Sequence, residues 1–191
     1  MELTPDTSFA QLQLPFDLPL TTQQKRRDRL QERLRSSNVS VSEFRDLAEV
    51  EALMQLSREY AAECDPDAVF DEIAARVTIA SILNQRVRDY TNCFIVRKYD
   101  VPVGFALVSV LHSMYSADKY GNLDWWYVLP QHRGSRATLS LLMTFEEWAR
   151  HKGAHLLFTG SRMNLRHAAR TISTLTKLGY SDVGQVLVKE A

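Results

Sequence analysis

The amino-acid sequence predicts a mixed α/β fold, with a central sheet of antiparallel and parallel parts flanked by about four helices. Three observations predict it. Apolar spacing changes from every third or fourth residue to every second near Cys93, so amphipathic helices give way to strands. The elements then follow the order strand, two helices, three strands, helix, strand, helix, strand. Between Leu123 and Gly153 a strand runs into a loop containing Gly134, and the loop opens a long helix.

Each element has its own local reason. Residues 1 to about 22 hold Pro5, Pro15 and Pro19 among polar neighbours and read as an extended arm. Residues 24–36 are charged and helix-friendly; Lys25, Arg26, Arg27, Arg29, Arg33 and Arg35 outnumber Asp28 and Glu32. This segment reads either as a solvated helix or as a basic recognition helix. Val39 to Phe44 alternates like a short strand. Leu47, Val50, Leu53, Met54 and Tyr60 mark a first amphipathic helix, broken by Asp65-Pro66-Asp67, with Asp67 as the expected cap of the next. Phe70, Ile73, Val77, Ala80, Leu83 and Val87 are expected to form the buried face of that second helix.

Cys93–Val96 and Val103–Leu111 read as two strands of a hairpin joined by Tyr99-Asp100-Val101-Pro102. A polar loop is expected from His112 to Asn122, and a strand from Leu123 to Val128. Arg136 to Lys152 forms a strong helix with Leu141, Leu142, Phe145, Trp148 and Ala149 on one face, ended by Gly153. His155–Thr159 reads as a strand. Leu165, Ala168, Ala169, Ile172, Leu175 and Leu178 mark a last helix, ended by Gly179, and Val183–Val188 a closing strand.

Composition excludes more than it identifies. The 23 basic and 23 acidic side chains cancel, so bulk charge argues for neither nucleic acid nor an anionic membrane as partner. No apolar run reaches the roughly 20 residues of a membrane span. The N-terminus does not read as a secretory signal. Two cysteines, Cys64 and Cys93, are too few for a disulfide framework, and a reduced, cytoplasmic setting is expected. No His/Cys/Asp spacing predicts a metal site.

The chemistry is expected where the Gly134 loop meets its helix. A helix N-terminus presents unpaired N–H groups and a partial positive charge, which suits a phosphate or pyrophosphate. Arg133 and Arg136 add two cations there, and Ser135 adds a hydroxyl able to cap the helix or touch a phosphate. An ordinary strand-turn-helix with surface arginines is the competing reading.

Tyr127-Val128-Leu129-Pro130-Gln131-His132-Arg133-Gly134 resembles the signature of the GNAT N-acetyltransferase superfamily: a hydrophobic strand, Val-x-Pro, and an Arg-Gly loop before a long helix. Val101-Pro102-Val103-Gly104-Phe105, Lys177-Leu178-Gly179-Tyr180 and Leu187-Val188-Lys189-Glu190 are similar to three flanking stretches of that family. The resemblance covers about residues 39–190, an acyl-CoA-binding domain preceded by the 1–38 arm. The spacing also resembles GNAT-like proteins of tailed bacteriophages. The family implies acetyl-CoA as co-substrate and a primary amine as acceptor, with protein lysine, protein N-terminus, polyamine and aminoglycoside all open. A homodimer is common in it. It further implies that backbone groups near Trp126 and Val128 bind the pantetheine and thioester carbonyl. Arg133, Gly134, Ser135, Arg136, Ala137 and Thr138 then cradle the pyrophosphate, with Asn164 contacting coenzyme A from the end of the fifth strand.

The chain departs from the family pattern at two places. Arg136 and Thr138 stand where the loop usually has glycine or alanine, and Leu175 stands where many members place the tyrosine that reprotonates the thiolate. Asp124 and His112 are the candidate general bases, each within the expected reach of the cleft. Arg162, Arg166 and Arg170 are candidates to meet the adenosine phosphates. Two readings follow: an acetyltransferase, or a GNAT scaffold that binds and regulates without catalysis.

Overall fold

Five strands form one sheet in the order β1 (Val39–Glu43), β2 (Thr91–Lys98), β3 (Val101–His112), β4 (Lys119–Val128) and β5 (Ala154–Thr159). The first four are antiparallel neighbours, and β5 runs parallel to β4. The computed structural model describes residues 38–64, 66–67, 69–160 and 168–183. The arm and basic segment of residues 1–37 lie outside the described residues, as does all but the first residue of the expected 183–188 strand.

The β2–β3 hairpin closes through Tyr99 and Asp100, both at positive φ (50° and 63°), the backbone that matches the twist of two flanking strands. The next connection is shorter than the sequence predicts. Tyr120, Gly121 and Asn122 pair with Leu111, Val110 and Ser109, so β4 begins at Lys119 and the loop is only Ser113–Asp118. Ladder bonds to β3, rather than an apolar pattern, carry those residues into the strand. The loop is closed by the Ser113 N–H donating to the Asp118 carbonyl at 2.9 Å.

Helices cover both faces. α1 (Val50–Cys64) follows a 3-10 turn whose cap, Asp46, accepts from the Ala48 N–H. α2 (Glu72–Ser81) is capped by Asp71, which accepts from the Ala74 N–H at 2.9 Å, and not by the expected Asp67. α3 (Gln85–Arg88) is a separate turn capped by Asn84, so the expected continuous helix through Val87 breaks after Ser81. The expected buried face of α2 is also corrected. Ile73 and Val77 are 78% and 64% exposed, whereas Ile79 and Ile82 are buried. The helix carries two overlapping apolar stripes, and packing chose the one that includes Ala75. Leu47 is likewise exposed.

α4 (Arg136–His151) and α5 (Ala168–Lys177) pack on the opposite face. Leu141, Leu142 and Phe145 of α4 are buried against Phe94, Val96, Val108 and Val110 of the sheet. Each such side chain stabilises the fold by about 1.5–3 kcal/mol. Gly153 and Gly179 end α4 and α5 at positive φ, as the sequence predicts. Beyond α5, the Tyr180 hydroxyl donates to the buried Glu146 at 3.1 Å, tying the chain back to α4. On the α1/α2 face, Tyr60 meets Phe105 and Tyr127 edge-on.

Candidate active site

The site begins with an irregularity in β4. Leu107 pairs with Trp125, but the next residue of β3, Val108, pairs with Leu123. Asp124 is therefore the extra residue of a β-bulge, a feature that re-aims side chains and ends regular pairing. The Asn122 amide donates to its carboxylate, and Ser109 of β3 also hydrogen-bonds it. Its surroundings raise the Asp124 carboxyl above the usual range, mainly by burial, while the bonds to Ser109 and Asn122 pull the other way. The side chain nevertheless keeps an exposed surface. It is thus shielded enough to hold a proton longer than an ordinary aspartate and open enough to reach one.

At the residue before the bulge β4 parts from β5. Their pairing ends at Leu123 with Thr159, while β4 continues to Val128. Among the described residues, β4 therefore has no strand partner on that edge beyond Leu123, which leaves backbone groups there able to bond to an inserted chain. Trp126 and Val128 point toward α4 beside this gap, and the Trp126 indole N–H reaches the Gly160 carbonyl at 3.4 Å. Alternation turns Trp125 and Tyr127 to the other face; Tyr127 is buried there, and Trp125 is 50% exposed.

The loop then delivers the helix N-terminus. A 3-10 turn, Pro130–His132, leads to Gly134 at φ +71°, a conformation that L side chains adopt rarely, with open space where a Cβ would stand. Ser135 caps α4: its hydroxyl donates to the His132 carbonyl at 2.5 Å and accepts from the Ala137 N–H at 3.2 Å. Ala137 is buried in the core, Arg136 is exposed, and Arg136 has no ion pair among the described residues. Two buried hydroxyls border this region without a hydrogen-bond partner among the described residues. Thr138 Oγ1 lies in the first turn of α4, and Thr159 Oγ1 lies where β5 ends its pairing. Buried polar atoms are normally satisfied, so an orphan pair at a gap and a helix N-terminus fits a polar ligand supplied from outside.

Arg133 differs from its sequence reading. Its side chain faces away from the helix terminus and forms a two-pronged ion pair with Glu63 of α1. Its Nε donates to the Val128 carbonyl at 2.8 Å, and its backbone N–H reaches the Pro130 carbonyl. The guanidinium is a tie within the protein, and Arg136 remains the cation available at the α4 terminus. His112 is also apart from the cleft: it pairs with Lys119, five residues before Asp124 on β4, or roughly 16 Å of strand. Asn164, Arg162 and Arg166 lie outside the described residues; Arg170 is exposed on α5. Leu175 is buried in the core beneath α4, so this position supplies no acid. Burial pushes the Cys93 thiol up to about 12, which makes it inert as a nucleophile.

Sequence reasoning missed Ser109, Asn122 and Glu63. Their roles depend on partners across strands or on another helix, and no spacing announces them.

The model of the acetyltransferase (GNAT) family matches residues 50–180. The chain belongs to that family. As a GNAT enzyme it moves an acetyl group from acetyl-CoA to an amine acceptor. Solved structures share the fold. Aminoglycoside N-acetyltransferase AAC(6')-Iy, crystallised with CoA, superposes with a TM-score of 0.65 at 17% identity, covering 80% of this chain and 94% of the other. The ribosomal-protein-alanine N-acetyltransferase from Brucella melitensis biovar Abortus 2308 gives 0.60 at 16%, covering 80% and 99%. The aminoglycoside acetyltransferase meta-AAC0020 from an uncultured soil metagenomic sample, in complex with sisomicin, gives 0.61 at 15%, covering 80% and 95%. A search of curated proteins found no match to the chain. Among the described residues, no helix is long and apolar enough to cross a membrane.

Proposed function

We propose that the acyl-CoA site of this GNAT acetyltransferase is the gap between β4 and β5 together with the N-terminus of α4, and that Asp124 is its general base. The bulge at Asp124 is the observation that carries the reading. The pairing with β5 stops one residue before the bulge, and the bulge brings a carboxylate of raised proton affinity to the rim of the opening. Residues 124–128 hydrogen-bond the pantetheine arm, with Trp126 and Val128 lining it. The N–H groups of Gly134, Ser135, Arg136 and Thr138 face the pyrophosphate, the Thr138 hydroxyl joins them, and Arg136 supplies the cation.

In the transfer, the amine nitrogen bonds to the acetyl carbon as the carbon–sulfur bond breaks. Asp124 accepts the proton that the amine loses, directly or through one water. A β4 N–H holds the charge that gathers on the carbonyl oxygen. The sulfur leaves as thiolate, which a thiol of pKa near 8.5 tolerates at neutral pH without an acid in the position of Leu175.

The acceptor is a primary amine that enters from the open side of Asp124. Residues 39–191 form the acyl-CoA-binding domain and 1–38 a separate arm. Two free, buried cysteines agree with a reducing, cytoplasmic setting. Calorimetric titration with acetyl-CoA tests the site; folded protein that binds none at high micromolar ligand refutes it. Thiol release with a panel of protein, polyamine and aminoglycoside amines then identifies the acceptor, and activity retained in Asp124→Asn removes Asp124 as base.

A further inference from the structure

The ion pair between Glu63 and Arg133 joins the α1 layer to the loop that opens α4. Glu63 is the penultimate residue of α1, and its carboxylate takes both terminal nitrogens of Arg133, one at 2.5 Å. The two side chains are only 28% and 27% exposed, so solvent screens the pair less than it would at an open surface. The same guanidinium donates through Nε to the last carbonyl of β4, that of Val128, and lies 5.3 Å above the Tyr127 ring. The Tyr127 hydroxyl points to Glu63 as well, at 3.4 Å. Thus a planar fork is held on its edge by a carboxylate, on its inner nitrogen by a carbonyl, and on its face by an aromatic ring. A compact ammonium could not make these three contacts together.

The loop needs such a tie. Leu129 is bonded to the Val103 carbonyl of β3, but beyond it the loop's backbone bonds, His132 to Leu129 and Arg133 to Pro130, are local, and the following residue is Gly134, at φ +71°. Amides that bind a pyrophosphate must converge within a fraction of an ångström, which costs affinity if the loop must be ordered on binding.

We propose that Glu63 is a positioning residue for acetyl-CoA: by fixing Arg133 it holds residues 130–135 against the end of β4 and keeps the amides at the start of α4 aimed at the pyrophosphate. This inference rests on the proposed acyl-CoA site. In the proposed site Glu63 acts through Arg133, so its effect falls on acetyl-CoA affinity.

Glu63→Gln keeps the shape and removes the charge; Glu63→Ala removes both; Glu63→Asp keeps the charge. Calorimetry with CoA, steady-state kinetics and thermal melting on each decide the matter. Glu63→Ala is expected to raise the CoA Kd and the acetyl-CoA KM about tenfold, with kcat at saturating acetyl-CoA and the KM for the amine within about twofold. Glu63→Gln should fall between wild type and Glu63→Ala, and Glu63→Asp should recover part of the affinity. Unchanged CoA affinity in folded Glu63→Ala overturns the proposal. So does a fall of kcat and a rise of both KM values in step with a lower melting temperature, which marks a merely structural pair. Wild-type protein that binds no CoA overturns the acyl-CoA site itself.

Discussion

Leu123 and Trp126 pack toward the same core although three positions separate them on one strand. Side chains on a regular strand alternate, so positions three apart face opposite sides. The extra residue at Asp124 restores the agreement: before it, odd positions of β4 face α4, and after it even positions do. The bulge therefore sets two things at once. It turns Trp126 and Val128 toward the gap beside β5, and it leaves Asp124 without a cross-strand partner, where its carboxylate meets Ser109 and Asn122 instead.

Asp124→Asn should abolish most of the activity and stabilise the fold at neutral pH. The folded-state pKa of Asp124 lies above its ordinary value of 3.8. Between those two pH values the folded chain still holds a proton that the unfolded chain has released. Stability therefore falls as pH rises through that window, and the ionised carboxylate remains unfavourable above it. Asparagine removes that cost, so melting temperature at pH 7 should rise, and the gain should vanish below the ordinary pKa. With Asp124 as the proposed base, turnover should fall as pH drops through the raised pKa, giving an acid limb above the usual carboxylate range. The asparagine variant should lose that limb and about 10²–10⁴ of the rate. Full activity in a folded Asp124→Asn, measured by thiol release, would show that another group takes the proton.

Much of the fold and half of the site are legible in the sequence, for identifiable reasons. The Val128–Ala137 stretch is local: strand, Gly134 turn, Ser135 cap and amphipathic α4 follow one another in the chain, and local physics places each. Asp124 is legible as a residue but not as a bulge, because register depends on β3. The face of α2 was not legible, since Ile73–Val77 and Ala75–Ile79 are both apolar stripes and only packing selects between them. The turn of Arg133 away from the phosphate side was hidden for a similar reason. Its partner Glu63 lies 70 positions earlier, on a helix with several other carboxylates.

Gly104→Ala should damage both stability and cofactor binding. A Cβ at Gly104 would stand 2.4 Å from the Tyr127 carbonyl oxygen and 3.0 Å from a Val128 methyl. The first of these is backbone, so it yields only if the end of β4 shifts. Overpacking of this kind costs about 1–3 kcal/mol. The shift would move Val128, whose carbonyl is held by Arg133, and so disturb the start of the loop. Denaturant unfolding should report the loss, and titration should show weaker CoA binding. An unchanged denaturation midpoint would contradict the close approach.

Thr138→Val separates the free protein from the complex. The hydroxyl is buried without a partner among the described residues, so replacing it by a methyl of the same shape should leave the free protein as stable or stabilise it by about 1 kcal/mol. In the complex the lost donor should raise the CoA Kd about three- to tenfold. Differential melting with and without CoA measures both effects in one experiment. A less stable free protein with unchanged CoA affinity would mean that the hydroxyl serves the fold.

Arg136 is the first residue of α4, and two opposite outcomes of changing it can be told apart. If its side chain crowded the helix terminus, Arg136→Gly would tighten CoA binding by letting the backbone approach the phosphates. The side chain is instead exposed and has no ion pair among the described residues, which leaves its charge free to meet a phosphate. Arg136→Gly and Arg136→Ala should therefore both weaken CoA binding, by about tenfold at low ionic strength. The Coulomb part of that difference is screened by salt, so the gap from wild type should narrow toward 1 M salt, where the Debye length is about 3 Å. Both variants also remove a residue from the first turn of α4, and circular dichroism must show the helix intact for the comparison to hold. Tighter binding by Arg136→Gly, or a loss insensitive to salt, would assign the arginine a steric role rather than an electrostatic one.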